Sequence, residues 1–139
     1  MRNIIAVTAV VGLGAISMLW GQGGRSVWDG VYSPAQAVRG AALYGTLCSS
    51  CHGDDLEGTG QMPGLTGADF RKEWDGQAAG DLFERMKNSM PADKPGSLTR
   101  EQNADVLAFL LKSNGYPAGS ADLKNDADSL KAIRMLQKR

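Results

Sequence analysis

Cys48, Cys51 and His52 sit together in the string CSSCH, and they are the only cysteines and the only histidine of the chain. Side chains of these types at this spacing suit several chemistries: a structural metal site, a redox dithiol, a local disulfide, or covalent attachment of a haem. A structural zinc takes a full tetrahedral set of Cys and His ligands, more than this chain offers. A thioredoxin-type dithiol belongs beside a strand in a βαβ unit, whereas a helical pattern precedes Cys48. A disulfide closing so small a loop constrains the unfolded chain little and stands as the structural alternative. Haem attachment gives each residue a separate task. Cysteines three apart lie about one helical turn from each other, so both sulfurs can face one side and join the two vinyl groups of a haem c. His52 can then turn its imidazole to the iron as proximal ligand.

The far face of the iron is either ligated or open. With no second histidine, the candidates are Met62, Met86, Met90, Met135 or no protein group. Met86 shares an apolar helical face with Leu82 and Phe83, which core packing explains. Met135 lies in the tail, and Met62 follows His52 so closely that crossing to the far haem face would strain the loop. Met90 stands after a helix and directly before Pro91, which forces its backbone out of helical geometry in a loop able to fold over the far face. His52 and Met90 are therefore assigned as the metal ligands. A soft thioether favours ferrous iron and raises the potential, whereas an open site would point to gas binding or peroxide chemistry.

Short helices must position these groups. Ser33, Pro34 and Gln36 suit an N-cap, a first helical position and a capping-box partner for a helix from about Pro34 to Leu47, with Val38, Ala41, Ala42 and Leu43 as its apolar contacts and Gly40 as a notch. Gly53 to Gly67 reads as an irregular loop. A short helix is expected over Ala68–Trp74, a better one in DLFERMKNS capped by Asp81 and ending before Pro91, and another in ADVLAFLLKSNG, capped by Thr99 with Gln102 and stopped by Asn114, Gly115 and Pro117. A last helix is expected from about Asp126 to Lys138, carrying Leu130, Ile133 and Leu136. Sustained strand alternation is absent from the pattern, so the fold class is all-α, three to four short helices whose thin core a planar apolar macrocycle would fill.

The chain has 139 residues, enough for one compact domain, with 15 basic and 15 acidic side chains. Residues 1–23 contain the single charge Arg2 and an apolar run from Ile4 to Trp20, which reads as a signal peptide or a retained N-terminal anchor; both place the remainder outside the cytoplasm, in the periplasm or beyond. The division is then 1–23 for export, 24–119 for the haem domain and 120–139 for a C-terminal extension. A near-neutral balance gives no electrostatic reason to expect nucleic acid. Asp54, Asp55 and Glu57 read as a solvated loop rather than a calcium site.

CSSCH, the preceding helix with Gly40 and Tyr44, MPGLTG and NSMP together resemble a class I, mono-haem c-type cytochrome over about Ser33 to Gly115. FRKEWDG, DLFERMKNSMPADKPGSLT and ADVLAFLLKSNGYPAG are similar to bacterial cytochrome c domains found alone or with quinoprotein alcohol dehydrogenases. The resemblance implies that Gly40 crosses close to the later helix near Val106 and Phe109, with Tyr44 packed beside it. It implies that the Pro63 carbonyl accepts the His52 ring N–H, which fixes the imidazole. Leu65 is expected to line the haem pocket, and Trp74 to stand near a haem propionate or fill the core. VWDGVYS and the tail from Ser120 exceed the minimal fold; packing on the haem domain or on a partner would explain either.

The expected function is an exported carrier of single electrons between periplasmic redox proteins, with a quinoprotein dehydrogenase or a terminal oxidase among the candidate partners. It is not an enzyme by itself. The alternatives are a haem subunit of a periplasmic dehydrogenase complex and a ligand sensor with a displaceable sixth position. Arg71, Lys72, Lys87 and Lys94 are candidates to surround an exposed haem edge and steer a partner.

Overall fold

The computed structural model describes residues 24–137; the export signal or anchor expected at 1–23 lies outside them. In chain order the described elements are β1 (Arg25–Ser26), a 3₁₀ turn (Val27–Asp29), α1 (Pro34–Leu47), α2 (Ser49–His52), α3 (Gly67–Trp74), α4 (Ala79–Ser89), α5 (Arg100–Ser113), α6 (Ala127–Lys131) and β2 (Ile133–Arg134). Among the described residues there are six helices: those expected, with the last one shortened, and one further turn made by the CSSCH string itself. The class stays all-α, with β1 and β2 forming one short parallel pair.

Local codes fix most helix ends. Ser33 Oγ accepts the Gln36 N–H at 3.1 Å and Pro34 fills the first helical position of α1. At α5 the box is reciprocal: Thr99 Oγ1 accepts the Gln102 N–H at 3.2 Å and Gln102 Oε1 accepts the Thr99 N–H at 2.9 Å. Asp81 acts one turn inside the helix it was expected to cap. Its carboxylate accepts the Ala78 N–H at 3.1 Å, so α4 begins earlier, at Ala79.

Two expectations for α1 are overturned. Gln36 does not complete a capping box; its buried amide bridges to the tail, donating to the Leu123 carbonyl at 3.1 Å and accepting the Leu123 N–H at 2.6 Å. Val38 is 63% exposed and the buried face runs through Gln36, Ala37, Gly40 and Tyr44. That face meets α5, and Gly40 permits the crossing. A Cβ there would fall inside the Asp105 carbonyl and 2.9 Å from Phe109 Cβ.

The core has two connected parts. The larger gathers Phe83, Leu107, Leu111, Leu130, Ile133 and Met135 with the 3₁₀ turn; the smaller gathers Tyr44, Leu56, Val106 and Leu110, and Leu65 and Met86 touch both. Each fully buried leucine contributes roughly 1.5–3 kcal/mol relative to exposure.

The tail is part of this core. The long last helix expected from Asp126 shortens to one turn, after which Ile133 and Met135 alternate inward as β2 pairs with β1. VWDGVYS packs with it: Val27, Val31 and Tyr32 are buried, Trp28 Nε1 donates to the Leu136 carbonyl at 2.9 Å, and Tyr32 donates to the Tyr116 carbonyl at 2.7 Å.

Acid should loosen this tail before the helices. Asp122, Asp126 and Glu101 all titrate below the ordinary carboxylate range. Hydrogen bonds from Ser33 and then Arg39 hold Asp122 down, the Ser129 backbone and hydroxyl hold Asp126 down, and Glu101 is lowered by its own backbone N–H, then Thr99 and Asn125. A carboxylate with a depressed folded value contributes stability above its unfolded pKa, about 4, and loses it as pH falls through the folded value. Melting midpoints should therefore be flat above about pH 5 and drop below about pH 4. Amide exchange of residues 122–130 should rise first.

Candidate functional site

α1 ends at Cys48, which serves as the N-cap position of α2, so the chain turns sharply just where the site begins. Both the Cys51 and His52 amides donate to the Cys48 carbonyl, at 3.1 and 2.9 Å. This single helical turn places the two sulfurs on one side. Both thiols are free, Cys48 half-buried and Cys51 exposed. Burial, and secondarily the neighbouring Cys51, pushes the Cys48 thiol above its ordinary range, so it stays protonated at neutral pH.

His52 is buried at 7% exposure, and its Nδ1 lies 2.8 Å from the Pro63 carbonyl. A carbonyl only accepts, so Nδ1 carries the proton and Nε2 keeps its lone pair for another partner. The loop between them is built to hold that carbonyl. Thr59 and Met62 exchange backbone bonds at 3.2 and 2.8 Å, Leu65 donates to the Leu56 carbonyl at 2.8 Å, and Asn114 on α5's C-cap donates to the Leu65 carbonyl at 2.9 Å. Leu56 takes a left-handed conformation (φ 61°) to point inward. Asn114, read in the sequence only as a helix stop, was missed as a tie to this loop.

Tyr44 braces the turn from behind, donating to the Gly53 carbonyl at 2.7 Å while its ring packs 5.3 Å from that of Phe109. Burial, then the charges of Cys48, Glu57 and Asp54, pushes its hydroxyl up to about 12, so it remains a donor. Tyr44→Phe should leave the Gly53 carbonyl buried without its partner and cost about 1–3 kcal/mol, read from denaturant unfolding of the haem-loaded protein.

Cys48, Cys51 and His52 line a cavity of about 520 Å³, together with Pro63 and Leu65. Met90 and Pro91 line it from α4's end. Leu82 and Met86, four residues apart, share one face of α4 and line the cavity, and Met90 at the C-cap lines it as well. Met90 leaves helical geometry (φ −122°, ψ 151°) while its N–H still donates to the Met86 carbonyl at 2.9 Å. Met62 sits at the rim, 47% exposed, whereas Met135 is buried in the main core and does not line the cavity.

Phe70, Val106 and Leu110 add apolar wall that the sequence reading did not name; the four-residue spacing of Val106 and Leu110 was the available signal. Trp74 lines the cavity with Arg85, whose guanidinium lies 5.7 Å over the indole and pairs with Glu73 at 3.2 Å. Of the basic residues expected at a haem edge, Lys94 reaches the cavity mouth and Arg71, Lys72 and Lys87 do not. Among the described residues, no group of three His, Cys, Asp or Glu side chains gathers to hold a metal, the Asp54, Asp55 and Glu57 turn included.

The donor set fits a c-type haem. The volume lies within the ~300–1,000 Å³ usual for cofactor sites. Two thiols, an imidazole and the Met90 thioether line one cavity with many apolar side chains, and Glu73, Arg85, Asp93 and Lys94 add charge to its lining. Such a site binds a flat apolar disc with polar substituents at one edge.

The chain is 28% identical over 92 residues to cytochrome c-554(547) of Halothiobacillus neapolitanus, a match covering 64% of this chain and 87% of that protein. Its fold is similar to the crystal structure of the sulfane dehydrogenase SoxCD from Paracoccus pantotrophus, with a TM-score of 0.50 and 23% identity over 91% of this chain and 68% of that one. Residues 35–110 match the family described as cytochrome c oxidase, cbb3-type, subunit III. That match covers more than half of the sequence, and the chain belongs to this family of c-type cytochrome domains, whose chemistry is haem-based electron transfer.

Proposed function

We propose that the protein is an exported single-haem electron carrier, with Cys48 and Cys51 holding the haem by thioether bonds and His52 and Met90 as axial ligands. The observation that carries this reading is the cavity itself, which Cys48, Cys51, His52 and Met90 all line. When bound, the haem supplies a one-electron ferric/ferrous couple. The Pro63 carbonyl fixes the orientation of the His52 ring. Met90 would offer the iron a soft donor that favours the reduced state and, bound there, would keep oxygen and peroxide away. Leu65, Leu82 and Leu110 exclude water and so limit reorganisation on electron transfer.

Donor and acceptor are redox proteins that meet the cavity mouth. A quinoprotein dehydrogenase and a terminal oxidase are the proposed classes, and a family description that itself names an oxidase supports the second. Export by residues 1–23, cleaved or kept as an anchor, would put the carrier beside them in the periplasm.

The test is the intact mass and the optical spectra of the purified protein, oxidised and reduced. The expected mass is that of the mature chain plus one haem that survives acid extraction, and the spectra should be low-spin His/Met in both states. A haem extracted by acid, or a high-spin ferrous spectrum, would sink the assignment.

A further inference from the structure

We propose that the C-terminal segment 125–137 is a latch on α4 that holds Met90 in place, with Gly80 and Arg100 as the positioning residues; this rests on Met90 being the sixth ligand. α4 turns Leu82, Met86 and Met90 to the cavity. It also packs on α5 and, through Arg85, meets Glu73 and Trp74 of α3, but its most extensive contacts are with the tail, and these begin before the helix does. In the loop leading to α4, Gly76 donates to the Met135 carbonyl at 2.7 Å and Met135 donates to the Gln77 carbonyl at 2.9 Å, while Ala78 bridges to Arg134.

Gly80 lets α4 lie directly on α6. A Cβ at that position would stand 3.1 Å from the Lys131 nitrogen and 3.2 Å from the Leu130 carbonyl carbon. Arg100 ties the two from the side: its Nε donates to the Asn125 carbonyl at 2.7 Å, its Nη1 to Glu84 of α4 at 3.1 Å, and its guanidinium lies 4.7 Å over the Phe83 ring.

The other side of Met90 has no such grip. Residues 92–97 are exposed, and the backbone bonds from Lys94 to Pro91 and from Ser97 to Lys94 are local. The position of the thioether is thus set from α4, and the tail is the largest of the contacts that set α4. A helix transmits a shift at one end to the other because its packed neighbours have discrete arrangements. A sixth ligand held in this way opens as often as the latch does.

Arg100→Gln and Gly80→Ala test this in the oxidised, haem-loaded full chain, with imidazole as the probe. Both variants should bind imidazole about tenfold more tightly than the parent, because the thioether dissociates more often. Their reduction potentials should fall, and α4 amides should exchange faster at temperatures well below melting. Tyr32→Phe, which cuts the bond to Tyr116 instead, supplies a comparison in which stability is lost without touching α4. Imidazole affinity equal to the parent, or raised no more than in Tyr32→Phe, overturns the latch while a Met90→Ala control still shows tightened binding. If Met90→Ala leaves imidazole affinity unchanged, Met90 is not the ligand and both readings fall together.

Discussion

Met90→Ala is expected to leave a folded protein with its haem attached, to open the reduced iron to carbon monoxide, and to lower the reduction potential by roughly 0.1–0.3 V, within the ~0.8 V that axial ligands span. The fold should survive because Met90 is only half-buried, follows the last turn of α4 and belongs to neither core cluster. The potential should fall because the thioether stabilises ferrous iron and water, its replacement, does so less. Met62 and Met86 also line the cavity, so they are the proper comparisons. Met62→Ala should keep the parent spectrum, and Met86→Ala should keep it while lowering stability by about 2–5 kcal/mol through lost packing. A parent-like spectrum in Met90→Ala with a changed one in Met62→Ala or Met86→Ala would move the ligand to that residue.

Gly40→Val should be the most damaging substitution in the two long helices, costing more than about 3 kcal/mol and suppressing accumulation of haem-loaded protein. The added atoms have nowhere to go. The first would overlap the Asp105 carbonyl, which is backbone inside α5 and cannot rotate aside, so α1 and α5 must separate. That separation would also break the bidentate Arg39–Asp105 pair, at 2.9 Å for each bond, and the packing of Tyr44 on Phe109. Gly45, in the same helix, has open space around it, so Gly45→Ala should be neutral or stabilising by up to about 1 kcal/mol. Denaturant unfolding of both variants checks the contrast; similar costs at the two positions would show that helix propensity, not the crossing, sets the requirement.

The features legible in the sequence are those whose code is local. Ser33 with Pro34, Thr99 with Gln102, and the CSSCH turn each act within a few residues, and each appears where its pattern indicates. Gly40 was legible by resemblance, since its partner is a backbone carbonyl far along the chain. Gln36 shows the limit. A glutamine three residues after a serine reads as a cap, yet its amide is recruited by Leu123 across 87 positions, and no local pattern announces that. The tail failed for a related reason. Leu130, Ile133 and Leu136 fit a helix as well as Ile133 and Met135 fit a strand, and over so few residues periodicity does not arbitrate. The pairing of β2 with β1 decides it, which is tertiary context overriding a short signal. At the site, CSSCH and the Met90–Pro91 step were readable as residue types. The cavity lining from α5, the Asn114 tie to Leu65 and the inward Leu56 depend on how the helices cross.

The bond from Trp28 to the Leu136 carbonyl joins residues 108 positions apart, and β1 meets β2 over nearly the same separation. A chain is made from its N-terminus, so β1 emerges early and waits without a partner for almost the whole domain. The entropy of closing so long a loop grows only as about (3/2)RT ln n, but contacts of this range are slow to form. The seam between the two strands is therefore among the last contacts open to the growing chain: it cannot form until nearly all of the described residues have been made.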